Sequence, residues 1–351
     1  MQRSTGGCCS FTLLVAVIGI VFCFVECVGG SSHHASNNTS NGINDLRCQV
    51  ILNHVVYEPD SQGHTARDEF YGCHPILPSG GVSGQMFKVE LPDHIGQDEK
   101  ERIRRGQPVV LSVPGGTLSL EHVRIPNATA VHVVNNLPDS SRRKLRIAPA
   151  KEGVLSLLPI RIITPDSEPT YSADRLHEVL FLEEVSLNQQ MRRCSFDKLG
   201  FKPTKYGVLE VFVDVNAKGS PYSVISNAAD ALAIELVDEV VENIREAADL
   251  VMFIIPPGTN GGWAAYGNVN GVGTTFNNRW AAYPGAQMHE IGHNLGLFHA
   301  KDGGNEYGDT TGSMGSAPDI PNYPKRCFNG HVSCTAAFEG SPALGLQGFP
   351  L

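Results

Sequence analysis

The feature that most constrains this chain is an eleven-residue stretch near its C-terminal end, HEIGHNLGLFH, which runs from His289 to His299. Two histidines four positions apart on a helix project from the same face, so His289 and His293 can reach one metal ion. Gly296 allows the chain to leave that helix and turn, because glycine tolerates a positive φ angle. The turn brings His299 round as a third ligand. Three histidine ligands leave a fourth position open, which is typical of a catalytic rather than a structural zinc site.

Glu290 and the apolar positions around it fit the same interpretation. Glu290 follows the first ligand directly and is not needed as a ligand itself, so its carboxylate can deprotonate a metal-bound water as general base. Met288, Ile291 and Leu295 are spaced as i, i+3 and i+7, which places an apolar stripe on a face different from that of the histidines. The stretch therefore predicts a zinc-binding helix that carries its own catalytic base.

Composition and charge indicate a globular protein and narrow the class of partner. The chain has 351 residues, of which 41% are hydrophobic and 18% charged, which suits one large or two ordinary domains with a buried core. The formal net charge is −9, from 27 basic and 36 acidic residues. This balance argues against nucleic acid as the main partner.

Residues 1–30 have the layout of a secretory signal. Arg3 precedes an uncharged run from Phe11 to Val25, and small residues follow from Gly29 to Ser32. The run is shorter than the roughly 20 residues of a membrane-spanning helix, so we expect no stable membrane insertion unless the signal remains uncleaved as an anchor. This layout predicts a secreted, extracellular protein.

The cysteines and glycosylation sequons are consistent with secretion. Five of the nine cysteines lie beyond the signal region: Cys48, Cys73, Cys194, Cys327 and Cys334. A secreted protein is expected to pair most of its cysteines, and an odd number leaves one thiol over. Asn37, Asn38 and Asn127 each begin an N-x-S/T sequon, and such sequons are credible glycosylation sites behind a signal sequence.

Residues 31–165 are predicted to form a flexible leader followed by a small β-rich propeptide domain. Short β-branched and apolar segments in it are punctuated by Pro, Gly, Asn and Asp. These segments are Gln49–Tyr57, Met86–Leu91, Pro108–Val113, Ala130–Val134 and Val154–Ile163. A removable N-terminal inhibitor is expected for a secreted protease, because an active protease endangers the cell that makes it.

Two features of this region have a simple interpretation and a regulatory one. The basic groups Arg102–Arg105 and Arg142–Lys144 are either solvated loop charge or sites at which the propeptide is cut. Cys48 and Cys73 either pair with each other, or one of them stays free to bind the zinc as an inhibitory thiolate. The sequence favours the simple interpretation in both cases.

The second half of the chain alternates strands and helices. Strands are predicted at Glu178–Val185, Gly207–Val215 and Val251–Ile255, and a long amphipathic helix is predicted at Ser223–Leu250. Trp263–Val269 is either an ordinary loop or an edge strand near the cleft. An edge strand there could pair with an extended substrate through main-chain hydrogen bonds.

A methionine turn follows the three histidines, at Gly312-Ser313-Met314-Gly315. A methionine turn after HExxHxxGxxH is the second signature of the metzincin metalloproteases, and the resemblance implies that Met314 lies under the metal as a hydrophobic floor. The stretch from Met288 to Ala300 closely resembles the gametolysin family, the algal cell-wall lytic metalloproteases. Further segments that resemble this family are Arg193-Cys194-Ser195-Phe196, Trp263-Ala264-Ala265-Tyr266-Gly267, Tyr307-Gly308-Asp309 and Cys327-Phe328-Asn329.

The resemblance implies an α+β fold in which a β-rich N-terminal prodomain is followed by a metzincin-like catalytic domain. That domain would contain a twisted sheet, a long helix, the zinc helix and the Met-turn. We assign residues 166–351 to it. We expect it to be short at its C-terminal end, because relatives usually continue further and this chain ends 37 residues after Met314.

The activity implied by the resemblance is that of a secreted zinc metalloendopeptidase, with Zn²⁺ as cofactor and extracellular-matrix or cell-wall glycoproteins as substrates. The ligands would be His289, His293 and His299, and Glu290 would be the catalytic base. One alternative is an adamalysin-like metalloprotease, although those proteins usually have Asp where this chain has Ala300. The other is a non-catalytic, protease-like protein that binds matrix.

Overall fold

The computed structural model describes residues 45–58, 67–134, 152–238, 241–300, 302, 307–309, 311–315 and 326–328. The predicted signal segment, the sequons at Asn37 and Asn38, the basic run Arg142–Lys144 and Cys334 lie outside these residues. Within the described part of the chain, no helix is both long and apolar enough to cross a membrane.

Strands dominate the N-terminal part of the chain, and strands alternate with helices in the later part. The first strands are β1 (Asp45–Tyr57), β2 (Arg67–Pro75), β3 (Phe87–Val89), β4 (Val109–Pro114), β5 (Thr117–Leu118), β6 (Val123–Arg124) and β7 (His132–Val133). The later strands are β8 (Gly153–Ile163), β9 (Leu199–Pro203), β10 (Leu209–Phe212), β11 (Leu250–Ile255), β12 (Trp263–Asn268) and β13 (Gly273–Asn277). The α-helices are α1 (Gln97–Arg104), α2 (Ala173–His177), α3 (Leu187–Cys194), α4 (Tyr222–Leu236) and α5 (Pro284–Asn294).

Eleven of the strands form one sheet, and β5 and β6 form a separate hairpin. Neighbouring strands follow the order β10-β8-β11-β13-β12-β1-β2-β3, with β9 beside β8, β4 beside β1 and β7 beside β4. β8 pairs in parallel with β9, β10 and β11, and β11 pairs in parallel with β13. β12 and β1 run antiparallel to their neighbours. The protein is therefore a mixed α/β structure built on a large sheet.

Helices cover both faces of the part of the sheet that contains β11. This strand is buried along its whole length, and its side chains alternate between two apolar clusters. Phe253 lies in the cluster that contains Ile225 of α4, and Ile254 lies in the cluster that contains Met288 of α5. A strand covered on both faces has a continuous apolar sequence, which is the pattern of Leu250–Ile255.

A third apolar cluster lies among the strands of residues 45–134, which we call the N-terminal layer. The disulfide Cys48–Cys73 joins β1 to β2 within this layer. The pairing confirms the simple interpretation of these two cysteines, since neither thiol is left to bind a metal. β1 also pairs with β12 from Asn53 to Tyr57, so the N-terminal layer continues the sheet of the later part of the chain.

The strand predicted at Glu178–Val185 is wrong. The chain there is a helical turn that continues α2, and the Glu183 N–H donates to the Glu178 carbonyl at 3.0 Å. Leu176 and Leu180 are both fully buried at helical spacing. The apolar run is therefore one face of a short helix rather than a buried strand.

The helix predicted at Ser223–Leu250 is too long, because α4 ends at Leu236. The backbone is extended at Val237, and the N–H of Asp238 donates to the Tyr206 hydroxyl at 3.2 Å instead of to a helical carbonyl. The spacing of apolar residues within the helix cannot predict a hydrogen-bond partner such as Tyr206, which is distant in sequence.

β8 occupies the segment in which the sequence predicts the end of the propeptide. In the structure it lies between β10 and β11, and the described residues belong to one compact unit. The structure therefore shows no division at residue 165. The cleavage boundary between 165 and 166 stays a prediction, but β8 belongs structurally with the elements that follow it.

Candidate metal centre

α5 carries the histidine motif, in agreement with the predicted helix. Its first residue is Pro284, whose fixed φ suits the start of a helix. His289, Glu290 and His293 lie on α5 and are at most 1% exposed. The helix packs against β12 and β13, so the motif lies in the interior of the protein.

The helix ends in the turn predicted at Gly296. This glycine has a φ of +85°, and its N–H donates to the His293 carbonyl at 2.9 Å. The N–H of Leu297 donates to the Gly292 carbonyl at 2.9 Å. These two bonds form a Schellman motif, and the turn returns His299 to the side of the helix. The predicted role of the glycine is confirmed.

Main-chain carbonyls orient two of the imidazoles. His289 Nδ1 lies 2.8 Å from the Ser313 carbonyl oxygen, and His293 Nδ1 lies 2.9 Å from the Leu297 carbonyl oxygen. Because a carbonyl can only accept, each Nδ1 carries the proton and each Nε2 carries the lone pair. Zinc-binding histidines have this arrangement, in which a hydrogen bond to the second nitrogen fixes the tautomer and the ring.

The three motif histidines converge. The ring centroids lie 4.9 Å apart for His289 and His293, 5.2 Å for His289 and His299, and 4.8 Å for His293 and His299. The Nε2 atoms of His293 and His299 are 3.1 Å apart. Two nitrogens bound to one tetrahedral zinc at about 2.0–2.1 Å are about 3.3 Å apart. The spacing of the His293 and His299 nitrogens therefore fits a zinc ion, and ligation by the three motif histidines stays a prediction.

Met314 packs against α5 between the two ligand positions of the helix. A Cβ atom placed on Gly292 would overlap Met314 Sδ, so the glycine allows the methionine side chain to come close to the helix. Met314 is fully buried, and its carbonyl accepts from the Ala300 N–H at 2.9 Å. This bond joins the methionine turn to the residue that follows His299.

A disulfide between Cys194 and Cys327 holds the segment after the methionine turn against α3. The Ser313 N–H donates to the Cys327 carbonyl at 3.0 Å, and the Ser313 hydroxyl donates to the Arg326 carbonyl at 2.8 Å. The cross-link therefore helps to place Ser313, whose own carbonyl orients His289.

A comparison with known protein families bears on the second half of the chain. Residues 168–336 match the family model described as gametolysin peptidase M11. We call this matched region the gametolysin domain. The resemblance predicted from the motifs is confirmed, and it favours the gametolysin over the adamalysin-like interpretation. Comparison with curated proteins finds no match to the chain.

A fourth histidine, which the sequence motifs do not single out, lies against the histidines of the gametolysin domain. His54 of β1 is fully buried, and its ring stacks on His293 with the centroids 4.4 Å apart. Its centroid lies 4.6 Å from that of His299. One ligand nitrogen from each of His54, His293 and His299 lies within 4.8 Å of the others. Burial, followed by the electrostatic influence of His293, His289 and Arg104, lowers the pKa of His54 well below its usual value.

β12 of the gametolysin domain runs directly beside α5. A Cβ atom on Gly267 would lie 2.7 Å from the Glu290 carbonyl oxygen and 3.1 Å from His293 Cβ. The strand predicted at Trp263–Val269 is confirmed, but its predicted position at an edge is wrong, because β1 pairs with it on the side opposite β13.

A separate cavity of about 610 Å³ lies beside the gametolysin domain, between β1, β2 and α4. Its lining includes the aromatic side chains of Tyr57, Tyr222, Trp263 and Tyr266, but none of the four clustered histidines. Because the cavity lining contains none of the histidines that could hold a metal ion, the histidine cluster is the better candidate for metal chemistry.

Proposed function

We propose that this chain is a secreted zinc-dependent metalloendopeptidase that cleaves extracellular-matrix or cell-wall glycoproteins. The observation that carries the proposal is the convergence of His289, His293 and His299 beside Glu290. The membership of residues 168–336 in a metallopeptidase family supports it.

Each residue of the site has a distinct role in this proposal. The three histidines would hold Zn²⁺, which accepts imidazole nitrogens readily, whereas Mg²⁺ and Ca²⁺ prefer oxygen ligands. When bound, zinc would supply a Lewis acid that polarises the scissile carbonyl and lowers the pKa of a water molecule. Glu290 would accept the proton of that water and return it to the leaving amine. Met314 would support the ligand helix from below as an apolar contact.

The order of the elements supports a metzincin-like catalytic domain. β10, α4, β11, β12, β13 and α5 occur in this order along the chain, and Met314 comes after them. With β13 as an additional strand before α5, this agrees with the order of strand, helix, strand, edge segment and zinc helix that the family resemblance implies. β1 occupies the outer side of β12 in the present form, so β12 would become an edge strand only if β1 left.

The position of β8 changes the proposed extent of the catalytic domain. Leu157, Leu158, Ile160 and Ile162 of β8 are all fully buried. Removal of this strand would break the parallel pairing on both of its sides and expose the hydrogen-bonding edges of β10 and β11. We therefore place the start of the catalytic domain at or before Gly153, and the end of any removable propeptide before β8.

Secretion and substrate class rest on sequence features and on the family. The signal layout of residues 1–30 supports secretion. The sequon at Asn127 lies on an exposed helical turn, where a glycan would have room. The proposed glycoprotein substrates come from the lytic activity that the gametolysin resemblance implies.

The test of the proposed function is the variant Glu290→Gln in the full-length secreted chain. The amide keeps the size of the side chain but cannot accept the proton, so peptidase activity should fall about 10²- to 10⁴-fold while zinc content stays at the wild-type level. Glu235→Gln, an exposed position on α4, is the matched control and should keep full activity. Undiminished activity in the Glu290 variant would overturn the proposed role.

A non-catalytic protein that binds matrix is the second candidate, because all four histidines are at most 5% exposed in this form. A buried centre cannot receive a polypeptide substrate without rearrangement. The two functions separate in a pull-down on matrix glycoprotein combined with a cleavage assay. Binding without cleavage under every condition that removes or displaces β1 would favour the second candidate.

A further inference from the structure

The N-terminal layer brings one side chain into the proposed metal centre. β1 runs antiparallel to β12, and the register sets His54 opposite Gly267. Because Gly267 has no side chain and lies against Glu290 and His293, the neighbouring position on β1 comes close to the ligand helix. His54 is therefore placed by sheet register and not by the histidine motif.

The environment of His54 resembles that of a metal ligand. Its Nε2 atom lies 3.4 Å from Glu69 Oε1 on the neighbouring strand, and Arg104 Nη2 lies 3.1 Å from Glu69 Oε2. A carboxylate beside one nitrogen of an imidazole orients the ring and raises its basicity toward a metal. A core histidine that only fills space has no need of two further imidazoles beside it, yet the ring centroid of His54 lies 4.4 Å from that of His293 and 4.6 Å from that of His299.

We propose that His54 is a fourth protein ligand of the zinc ion in the uncleaved chain, which makes the precursor latent. This inference rests on the proposed function. A zinc ion with four protein ligands has the closed coordination of a structural site, whereas a catalytic site keeps one position open. His54 would occupy the position that the reaction needs, and release of β1 would open it.

The same strand would block the substrate as well as the metal. β1 pairs with the outer side of β12 from Asn53 to Tyr57, which is where an extended peptide could add by main-chain hydrogen bonds. One element therefore closes both the coordination position and the strand that could bind a peptide. One alternative from the sequence is that a free Cys48 or Cys73 binds the zinc as an inhibitor. These two cysteines are paired with each other, and His54 would take that inhibitory role instead.

The first test replaces the proposed ligand with a residue that reports its own coordination. The full-length chain is loaded with Co²⁺, and His54→Cys is compared with Val55→Cys. Successive residues of a strand point to opposite faces, so only the thiolate at position 54 should reach the metal. The expected result is a thiolate-to-cobalt charge-transfer band in His54→Cys and none in Val55→Cys. Absence of the band in folded, cobalt-loaded His54→Cys protein would overturn the proposal.

The second test measures access to the metal. Azide is titrated into the cobalt-loaded wild type, His54→Ala and His74→Ala, with the visible spectrum as readout. His74 is another buried histidine of the N-terminal layer, outside the cluster. Removal of a fourth ligand should increase azide affinity at least about 10-fold for His54→Ala, the lower end of effects at metal sites, and leave His74→Ala like the wild type. Equal affinities in all three would overturn the proposal.

Failure of the inference and failure of the proposed function give different results. If His289→Ala and His293→Ala still bind cobalt as the wild type does, or if the wild type binds none, the metal centre is absent and both ideas fail. If those variants lose cobalt but neither His54 variant changes the spectrum or the azide affinity, the metal centre stands and only the latency device is wrong.

Discussion

The N-terminal layer and the later part of the chain share one sheet but differ in how each is held together. The later part, residues 152–328, which we call the catalytic half, has its own disulfide between Cys194 and Cys327, and the N-terminal layer has Cys48–Cys73. Among the described residues, neither disulfide crosses from one region to the other. β1 and β12 connect the two by hydrogen bonds and side-chain packing. A layer attached in this way can leave without breaking a cross-link in what remains.

The two regions also differ in how they contribute to the metal centre. The catalytic half supplies three histidines from eleven consecutive residues, placed by one helix and one turn. Of the described residues of the N-terminal layer, His54 is the one that lies against the motif histidines, at a position fixed by the pairing of strands that are distant in sequence. In the proposed site, a short motif thus supplies three metal ligands. The pairing of β1 with β12 determines whether a fourth ligand, His54, fills the remaining coordination position.

Removal of the two disulfides should affect the two regions unequally. The loops closed are 133 residues for Cys194–Cys327 and 25 residues for Cys48–Cys73. Loop-closure entropy predicts stabilisations of about 5 and about 3.5 kcal/mol, respectively. Urea unfolding of the Cys→Ser pairs measures the difference. A larger loss of unfolding free energy for the Cys48/Cys73 pair would mean that the N-terminal layer, not the catalytic half, carries the main cross-link.

The contact between β12 and α5 should be more sensitive than a comparable contact inside the N-terminal layer. In Gly267→Ala the new methyl group would meet the Glu290 main chain at 2.7 Å, which cannot move without shifting the helix. We expect a loss of about 1–3 kcal/mol from this overpacking. In Gly72→Ala the nearest atoms, at 2.7 and 2.8 Å, belong to the side chains of Met86 and Asn53, which can rotate away at smaller cost.

Thermal unfolding of the two glycine variants checks this difference. The change in Tm should be larger for Gly267→Ala, and zinc affinity should fall only in that variant because its strain reaches the ligand helix. Equal changes in Tm for the two variants would contradict this expectation, because they would mean that α5 moves away from the new methyl group as easily as the Met86 and Asn53 side chains do.

The smallest expected effect is on the stability of the catalytic half at low pH, and it comes from Asp166, near the start of that region. Hydrogen bonds from the Ala217 N–H, then from Lys218 and Thr164, lower the pKa of Asp166 below its usual value of 3.8. A carboxylate with a lowered folded-state pKa stabilises the fold above the unfolded pKa, and this contribution is lost as pH falls through the folded pKa. Asp166→Asn should therefore lower Tm slightly at pH 7.

The pH series provides the decisive comparison for Asp166. The difference in Tm between the wild type and Asp166→Asn should shrink once the pH falls below 3.8 and disappear below the folded pKa. A difference that stays constant across this range would show that the hydrogen bonds stabilise the loop equally well without the charge.

The sequence predicted the elements whose signals are local. The histidine helix, the turn at Gly296 and the buried strand β11 were all recognisable because spacing, glycine and a continuous apolar run act within a few residues. The segment Glu178–Val185, where the predicted strand is wrong, also has a local helix signal. Ser172 lies shortly before it, and its hydroxyl accepts from the Arg175 N–H at 3.2 Å as a helix N-cap.

The rest could not be predicted because it depends on partners far away in the chain. α4 stops where Tyr206 supplies an alternative partner for Asp238, and no window of sequence contains both. His54 looks like one polar residue in an apolar strand until β1 is placed beside β12. The same pairing turned the predicted edge strand into an interior one.

The separation between β1 and β12 also has a consequence for how the chain is made. Tyr57 and Asn268 are 211 positions apart, so at about 5–20 residues per second β1 emerges from the ribosome about 10–40 s before its partner strand. During that interval β2 and β4 can pair with β1, but the edge that will meet β12 stays uncovered. An uncovered edge strand invites pairing with other chains. The edge of β1 that pairs with β12 is therefore exposed to pairing with other chains until residue 268 of 351, the end of β12, has been synthesised.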